Sequence, residues 1–151
     1  MKTFARILAL LFLLVAASLP AETSPEIDVE KLFAMKKELV KDSMQLTERE
    51  AAVFWPLYDE YEKKAIDIFN RRAAHIRKYI QDYKSLSDEM AKLMMRDYLQ
   101  TEADALKNKR ALVAKLSKKL PLKTVYQFFV FEELVEAGFF SQIAENLPPI
   151  E

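Results

Sequence analysis

The only histidine is the first residue to consider for catalysis. His75 stands alone in the 151-residue chain, and the chain has no cysteine. A hydrolytic triad needs a nucleophile, a histidine and an acid within hydrogen-bond reach of one another. No serine motif accompanies His75, and no group of acid, base and nucleophile is visible elsewhere. We therefore predict a surface or interface histidine in a protein that is not an enzyme and uses no cofactor.

Three methionines could in principle bind a soft metal ion. Met90, Met94 and Met95 lie close together, and thioether sulfur can hold Cu(I). Residues 90 and 94 would share one face of a helix. Methionine at this spacing more often fills gaps in a core. We predict no metal site, and a metal sensor using these methionines or His75 stays as an alternative for calorimetry to test.

Two further groups of residues could bind another protein. The first is a basic cluster, which favours acidic partners unless it is only a solvated helix face; its members are Arg71, Arg72, Arg77 and Lys78. The second is an aromatic set near the C-terminus; its members are Phe128, Phe129, Phe131, Phe139 and Phe140.

That aromatic segment carries more apolar residues than one helix needs for packing. A surface helix requires only a stripe about 100° wide, whereas apolar residues here would occupy most of the circumference. The excess must face an intramolecular core, a second copy or a client protein. Charge is segregated in the same region. Residues 107–123 include seven basic and no acidic residues, and residues 124–151 include five acidic and no basic ones.

The N-terminus has the order of a secretory signal peptide. Lys2 and Arg6 precede an apolar run, and small residues follow up to Ala21. The run is shorter than the roughly 20 residues of a membrane span. We predict cleavage after residue 21 and a periplasmic protein without an integral span. Without cysteine, a lipid anchor on a mature N-terminal cysteine is excluded. Residues 22–151 would form one domain, with two more acidic than basic residues, which argues against a nucleic-acid binder.

Composition and periodicity predict an all-α fold. A single glycine in the chain is typical of a protein with few tight turns or strands. Apolar residues recur at helical spacing in four segments. The predicted helices cover about 25–43, 47–83, 88–119 and 122–144. Ser24 is the expected N-cap of the first. The second and third helices are too long to be buried singly in a compact core, and each requires an antiparallel packing partner. We therefore predict an extended, kinked antiparallel hairpin.

Two similar helix starts lie forty residues apart. Thr47 and Glu50 match a capping box, in which each side chain bonds the other residue's backbone N–H. Ser87 occupies the equivalent position in the second start, but Met90 replaces the reciprocal glutamate. Pro56 lies inside the second helix, where it removes a backbone hydrogen bond, and we predict a bend there.

These starts resemble a known motif. LTERE at 46–50 and LSDEM at 86–90 resemble the LTxxQ motif of Spy/CpxP-type periplasmic proteins, with Glu50 and Met90 in place of the final glutamine. FWPLYDEY at 54–61 is similar to a segment in exported members of that superfamily. The resemblance implies long, kinked antiparallel helices, often in a homodimer. It also implies a structural role for Leu46, Thr47, Leu86 and Ser87.

The resemblance further implies a role in envelope stress. Members of the Spy/CpxP-type family act as ATP-independent chaperones or as inhibitors of a stress sensor. Our leading hypothesis is a holdase-like chaperone whose fourth-helix aromatics bind unfolded clients, while the basic cluster speeds their encounter. The family expectation of a strongly basic surface is not met, because this chain is nearly neutral. The alternative is a non-catalytic regulatory subunit that docks on one envelope protein.

Overall fold

The described part of the chain is helical. A computed structural model describes residues 28–144, with side chains described through residue 138. Its four α-helices are α1, Val29–Ser43; α2, Glu48–Asp82; α3, Asp88–Leu116; and α4, Leu122–Ala144. A 3-10 turn, Tyr83–Ser85, connects α2 to α3, and no strand occurs within residues 28–144. The predicted all-α class is therefore confirmed. The signal peptide predicted for residues 1–21 lies outside the described residues.

The capping box at the start of α2 is confirmed. The Glu50 backbone N–H donates to Thr47 Oγ1 at 3.3 Å, and the Thr47 N–H donates to Glu50 Oε2 at 3.0 Å. The Thr47 hydroxyl also donates to Glu50 Oε2, at 2.8 Å, and the two bonds that this carboxylate accepts from Thr47 lower its pKa. Ser87 caps α3 through the Met90 N–H alone, at 3.3 Å. The second start thus keeps half of the box, as its sequence indicates.

Several helix ends differ from the prediction. Asp28 is the N-cap of α1, and its carboxylate accepts from the Lys31 N–H at 3.0 Å. The expected cap, Ser24, lies outside the described residues. Helix α3 ends at Leu116, three residues before the predicted end, and a turn covers the remaining residues before Pro121. Helix α2 continues without interruption through Pro56, and the bend expected there stays a prediction.

Contacts between α2 and α3 run antiparallel. Residue numbers rise along α2 as they fall along α3, in the pairs Glu60–Lys115, Tyr61–Asn108, Arg71–Asp104 and Arg72–Glu102. The Asn108 side-chain amide donates to the Tyr61 carbonyl at 3.0 Å, so a buried polar group finds a partner on the facing backbone. These pairs fix the register of the two long helices.

The core lies where α1 and α4 pack against one end of this helix pair. Phe54, Tyr58 and Phe128 are its largest fully buried apolar side chains. The Phe54 and Phe128 rings meet edge to face with centroids 5.2 Å apart, a geometry that contributes about 0.5–1.5 kcal/mol beyond burial of area. Leu46, from the first helix start, packs against this cluster. The N-terminal half of α2 is therefore the central element of the core.

The other end of the helix pair is thinner. Within residues 73–101, which we call the arm, Met94 and Thr101 are the two buried residues. Neither α1 nor α4 makes a side-chain hydrogen bond or ion pair with this segment of the described chain. No helix of the described part is both long and apolar enough to cross a membrane.

The two helix caps should differ in their effect on stability. We expect Thr47→Ala to lower the free energy of unfolding by about 1 kcal/mol, because it removes a cap next to the core. The matched change Ser87→Ala should cost less, since its cap lies at the tip of the arm, where local opening is easier. Urea denaturation followed by circular dichroism measures both. An equal or larger loss for Ser87→Ala would contradict this.

Candidate functional site

An apolar groove runs between α3 and α4 on the outside of the protein. Its volume is about 580 Å³. The lining side chains are mostly aliphatic or aromatic and come from both helices: Leu106, Lys109, Arg110, Val113, Ala114, Ser117, Leu122, Val125, Tyr126 and Phe129. We call this the α3/α4 groove. Its size matches that of clefts that hold a small ligand or a segment of another protein.

Large apolar side chains at the groove are exposed to water. Leu122 is 70% exposed and Tyr126 is 67% exposed. Val130 and Leu134 continue the same row at intervals of four residues along α4 and are also exposed. Single exposed apolar residues are ordinary, but a contiguous group is typical of an interaction surface. The groove is therefore the best candidate for a binding site in the described part of the chain.

The structure divides the aromatic residues predicted to bind a client. Phe128 is only 1% exposed, and Phe131 is also buried, so both rings belong to the core. Phe129 lines the α3/α4 groove, with Lys109 Nζ 5.9 Å from its ring centroid. Residues 139 and 140 lie in α4, but the side chains of Phe139 and Phe140 lie outside the described residues. One predicted ring, Phe129, is thus placed at the groove.

The basic cluster is also divided. Arg72 makes two hydrogen bonds of 2.7 Å to Glu102, and Arg71 binds Asp104 at 2.9 Å. The hydrogen bond from Arg71 holds the pKa of Asp104 below its ordinary value. These arginines join α2 to α3, so their charges are largely neutralised within the chain. This differs from the expected role as steering charges.

The other two members of the basic cluster lie on the arm. Lys78 pairs with Asp82 at 2.8 Å, one turn along α2. Arg77 is exposed and makes no ion pair with a described residue. Neither residue is near the α3/α4 groove.

His75 and the methionines do not form a common site. The His75 ring lies 5.0 Å from the Tyr98 ring, so it packs between α2 and α3. Met94 is buried, whereas Met95 is 60% exposed, so neighbouring thioethers point to different environments. No cluster of three or more His, Asp or Glu side chains suited to a metal ion occurs in the described range.

A buried carboxylate lies on the inner side of α4. Glu132 is 0% exposed. Its Oε1 atom accepts from Lys36 Nζ of α1 at 2.5 Å and from the Tyr61 hydroxyl of α2 at 2.5 Å. One carboxylate therefore joins three helices. A buried charge of this kind requires both an opposite charge and hydrogen bonds to offset its desolvation.

The groups around Glu132 are strongly perturbed by burial. Burial, reinforced by the negative charge of Glu132, raises the pKa of both Tyr58 and Tyr61 far above the ordinary value. Both phenols therefore stay protonated. The Tyr58 hydroxyl and Glu132 Oε2 are buried without a hydrogen-bond partner in the described part of the chain. Because these groups are buried and join three helices, we assign the cluster a structural role.

Sequence reasoning missed Glu132, although a signal was present. Glu132 follows Phe128 by four residues, so the two share a helix face in an otherwise apolar segment. A carboxylate on an apolar face indicates a buried partner. Its partner, Lys36, is 96 residues away and could not be identified from the sequence.

Comparison with known proteins leaves the family open. The chain matches no protein-family model, no curated protein and no solved structure. The resemblance of residues 46–50 and 86–90 to the Spy/CpxP motif therefore stays a prediction.

Removal of the buried carboxylate should destabilise the fold. We expect Glu132→Ala to lower the free energy of unfolding by about 3–5 kcal/mol, because Lys36 is left buried without its counter-charge. The control Glu133→Ala removes a half-exposed carboxylate from the same helix and should cost about 0–1 kcal/mol. Chemical denaturation of both variants measures the difference. Equal losses of unfolding free energy in the two variants would show that the buried contact contributes no more to stability than the exposed one.

A second carboxylate should make stability depend on pH. Burial raises the pKa of Glu62 above its ordinary value of 4.5, although Lys37 lies 3.7 Å away and opposes this shift. The folded state therefore retains a proton more readily than the unfolded state, and stability falls as pH rises from 4.5 through the folded pKa. We expect Glu62→Gln to be more stable than the parent protein at pH 7.

The advantage of Glu62→Gln should disappear below pH 4.5, where the parent carboxyl is protonated in both states. Thermal unfolding across pH 3.5–7.5 measures this difference. A variant less stable than the parent at pH 7 would mean that attraction to Lys37 outweighs the cost of burial.

Proposed function

We propose that the protein is an exported, ATP-independent holdase that binds apolar segments of unfolded proteins in the α3/α4 groove. The observation that carries this proposal is the contiguous apolar lining of an open groove about 580 Å³ in volume. Leu122 and Tyr126 are already exposed to solvent, so a client can bind them without unfolding of the core. Export is inferred from the signal-like N-terminus, and the periplasm is the proposed compartment.

The chemistry of the groove suits weak and unselective capture. Burying one leucine-sized side chain gains about 1.5–3 kcal/mol, so two or three such contacts would hold a client reversibly. The apolar lining offers few hydrogen-bonding groups to select a sequence. Such a site would favour exposed hydrophobic segments in general over one folded surface.

Basic residues at the groove replace those proposed from the sequence as steering charges. Lys109 and Arg110 both line the groove. Lys109 is bound by Glu133 and lies 3.1 Å from Glu136, whereas Arg110 makes no ion pair with a described residue. Arg110 would therefore attract acidic clients, and this attraction should weaken as salt increases.

A second candidate is a regulatory subunit that docks on a single envelope protein. The observation that favours it is that the groove lies between two helices, with lining residues from both. Such a groove also fits one amphipathic helix of a defined partner. Capture from an envelope extract separates the candidates. A single stoichiometric partner favours regulation, and a broad set of misfolded proteins favours the holdase.

Aggregation of a denatured client protein tests the holdase directly. We expect the chain without its first 21 residues to suppress light scattering at equimolar ratio without ATP. The double variant Leu122→Ser and Tyr126→Ser should lose most of this protection, because its groove no longer gains from burial of apolar surface. Both residues are exposed, so the fold should be retained.

The control for this experiment is Leu93→Ser. Leu93 is 50% exposed on the arm and does not line the groove. This variant should protect the client as well as the parent does. The holdase proposal fails if the parent protein gives no protection, or if the control and the groove variant lose protection equally.

A further inference from the structure

One cation in the α3/α4 groove has no counter-charge among the described residues. Arg110 lines the groove from α3 and is exposed. Its neighbour Lys109 binds Glu133 and Glu136 of α4, and Arg110 makes no ion pair within the described residues. An arginine in an apolar groove favours a partner that supplies both apolar surface and a carboxylate.

A carboxylate of this kind lies beside the groove, one helical turn beyond the lining residue Phe129 of α4. Glu133 belongs to α4, and its side chain is 49% exposed even though Lys109 contacts it. This contact also sets the level of the two helices, because residues 109 and 110 of α3 lie beside residue 133 of α4. The same surface thus carries a positive group on α3 and a negative group on α4 at nearly the same height.

We propose that a second copy of the chain covers this groove, with α3 of each copy facing α4 of the other. A two-fold axis parallel to the helices keeps each residue at its own height, so Arg110 of one copy meets Glu133 of the second copy. Symmetry produces this pair twice. The exposed side chains of Leu122 and Tyr126 then cover the C-terminal part of the facing α3, near Val113 and Ser117.

Charge selects this arrangement over the other two-fold pairing. An axis perpendicular to the helices would place α3 on α3 and α4 on α4. This arrangement would bring residues 107–123 of the two copies together. Each of these segments includes seven basic and no acidic residues. Repulsion opposes that pairing, whereas α3 on α4 places unlike charges together.

The pairing has a consequence that depends on the proposed function. If clients bind in the α3/α4 groove, then a client and a second copy compete for the same apolar surface. The dimer would be the resting form, and its dissociation would supply the binding-competent monomer. Activity per monomer should then increase on dilution through the dissociation constant of the dimer.

Sedimentation equilibrium of the chain without its first 21 residues, in the absence of any client, tests the pairing. We expect the mass of a dimer for the parent protein. Arg110→Glu should weaken association at least about tenfold, because it places two carboxylates together at each of two symmetric contacts. The control Lys63→Glu makes the same charge change at an exposed site of α2, outside the groove, and should leave association unchanged.

Mixing variants tests the orientation. Glu133→Arg alone should also weaken association, and an equimolar mixture of Arg110→Glu with Glu133→Arg should form heterodimers through restored opposite charges. Circular dichroism confirms the fold of each variant, and Arg110→Gln replaces Arg110→Glu if the latter does not fold. The proposal is overturned if the parent is monomeric, if Lys63→Glu and Arg110→Glu behave alike, or if mixing restores nothing.

This result and the holdase result are independent. A dimer of the expected orientation that gives a client no protection overturns the proposed function and leaves the pairing in place. A monomer that protects a client overturns the pairing and leaves the function in place. Protection that is stronger in Glu133→Arg than in the parent supports competition between client and second copy, because Glu133 does not line the groove.

Discussion

The buried carboxylate of Glu132 is the contact on which the arrangement of the helices depends. The desolvation cost of a buried charge must be offset by an opposite charge and by hydrogen bonds. Without them, the buried charge strongly destabilises the fold. Lys36 and Tyr61 meet that requirement from two different helices. Apolar side chains tolerate small rotations and exchanges of neighbours, but two hydrogen bonds of 2.5 Å to one oxygen allow little freedom. The contact therefore fixes where α1 and α4 lie on the long helix pair.

Glu132 also determines which surface α4 shows to solvent. Successive residues of a helix are separated by about 100°, so Tyr126, six residues before Glu132, lies roughly 120° around the axis. When Glu132 and Phe128 point inward, the row that begins with Leu122 and Tyr126 must point toward water beside α3. The exposed groove and the buried ion pair are thus two sides of one orientation. A rotation of α4 that hid the groove would expose the core.

The two ends of the α2/α3 helix pair differ in structure. At one end, four helices enclose aromatic rings around Tyr58 and Phe128, and the groove lies on the outer side of that core. At the other end, the arm contains two helices, and the pair of Arg72 with Glu102 joins α2 to α3 at the base of the arm. Arg71 and Arg72, which the sequence predicted as steering charges for a partner, hold α2 and α3 in register. Arg110, which lines the α3/α4 groove and makes no ion pair with a described residue, belongs to another part of the sequence.

The sequence by itself determined the four helices, the caps of α2 and α3, and the excess of apolar surface on α4. These features depend on residues within a few positions of one another, such as Thr47 with Glu50, so periodicity and capping chemistry reveal them. Which face of α4 is core was decided only by the tertiary structure. Phe128 and Phe129 are adjacent and chemically identical, yet one is buried and the other lines the groove. The distinction depends on Lys36 and Tyr61, residues far away in the chain, because only the folded chain brings a counter-charge to Glu132.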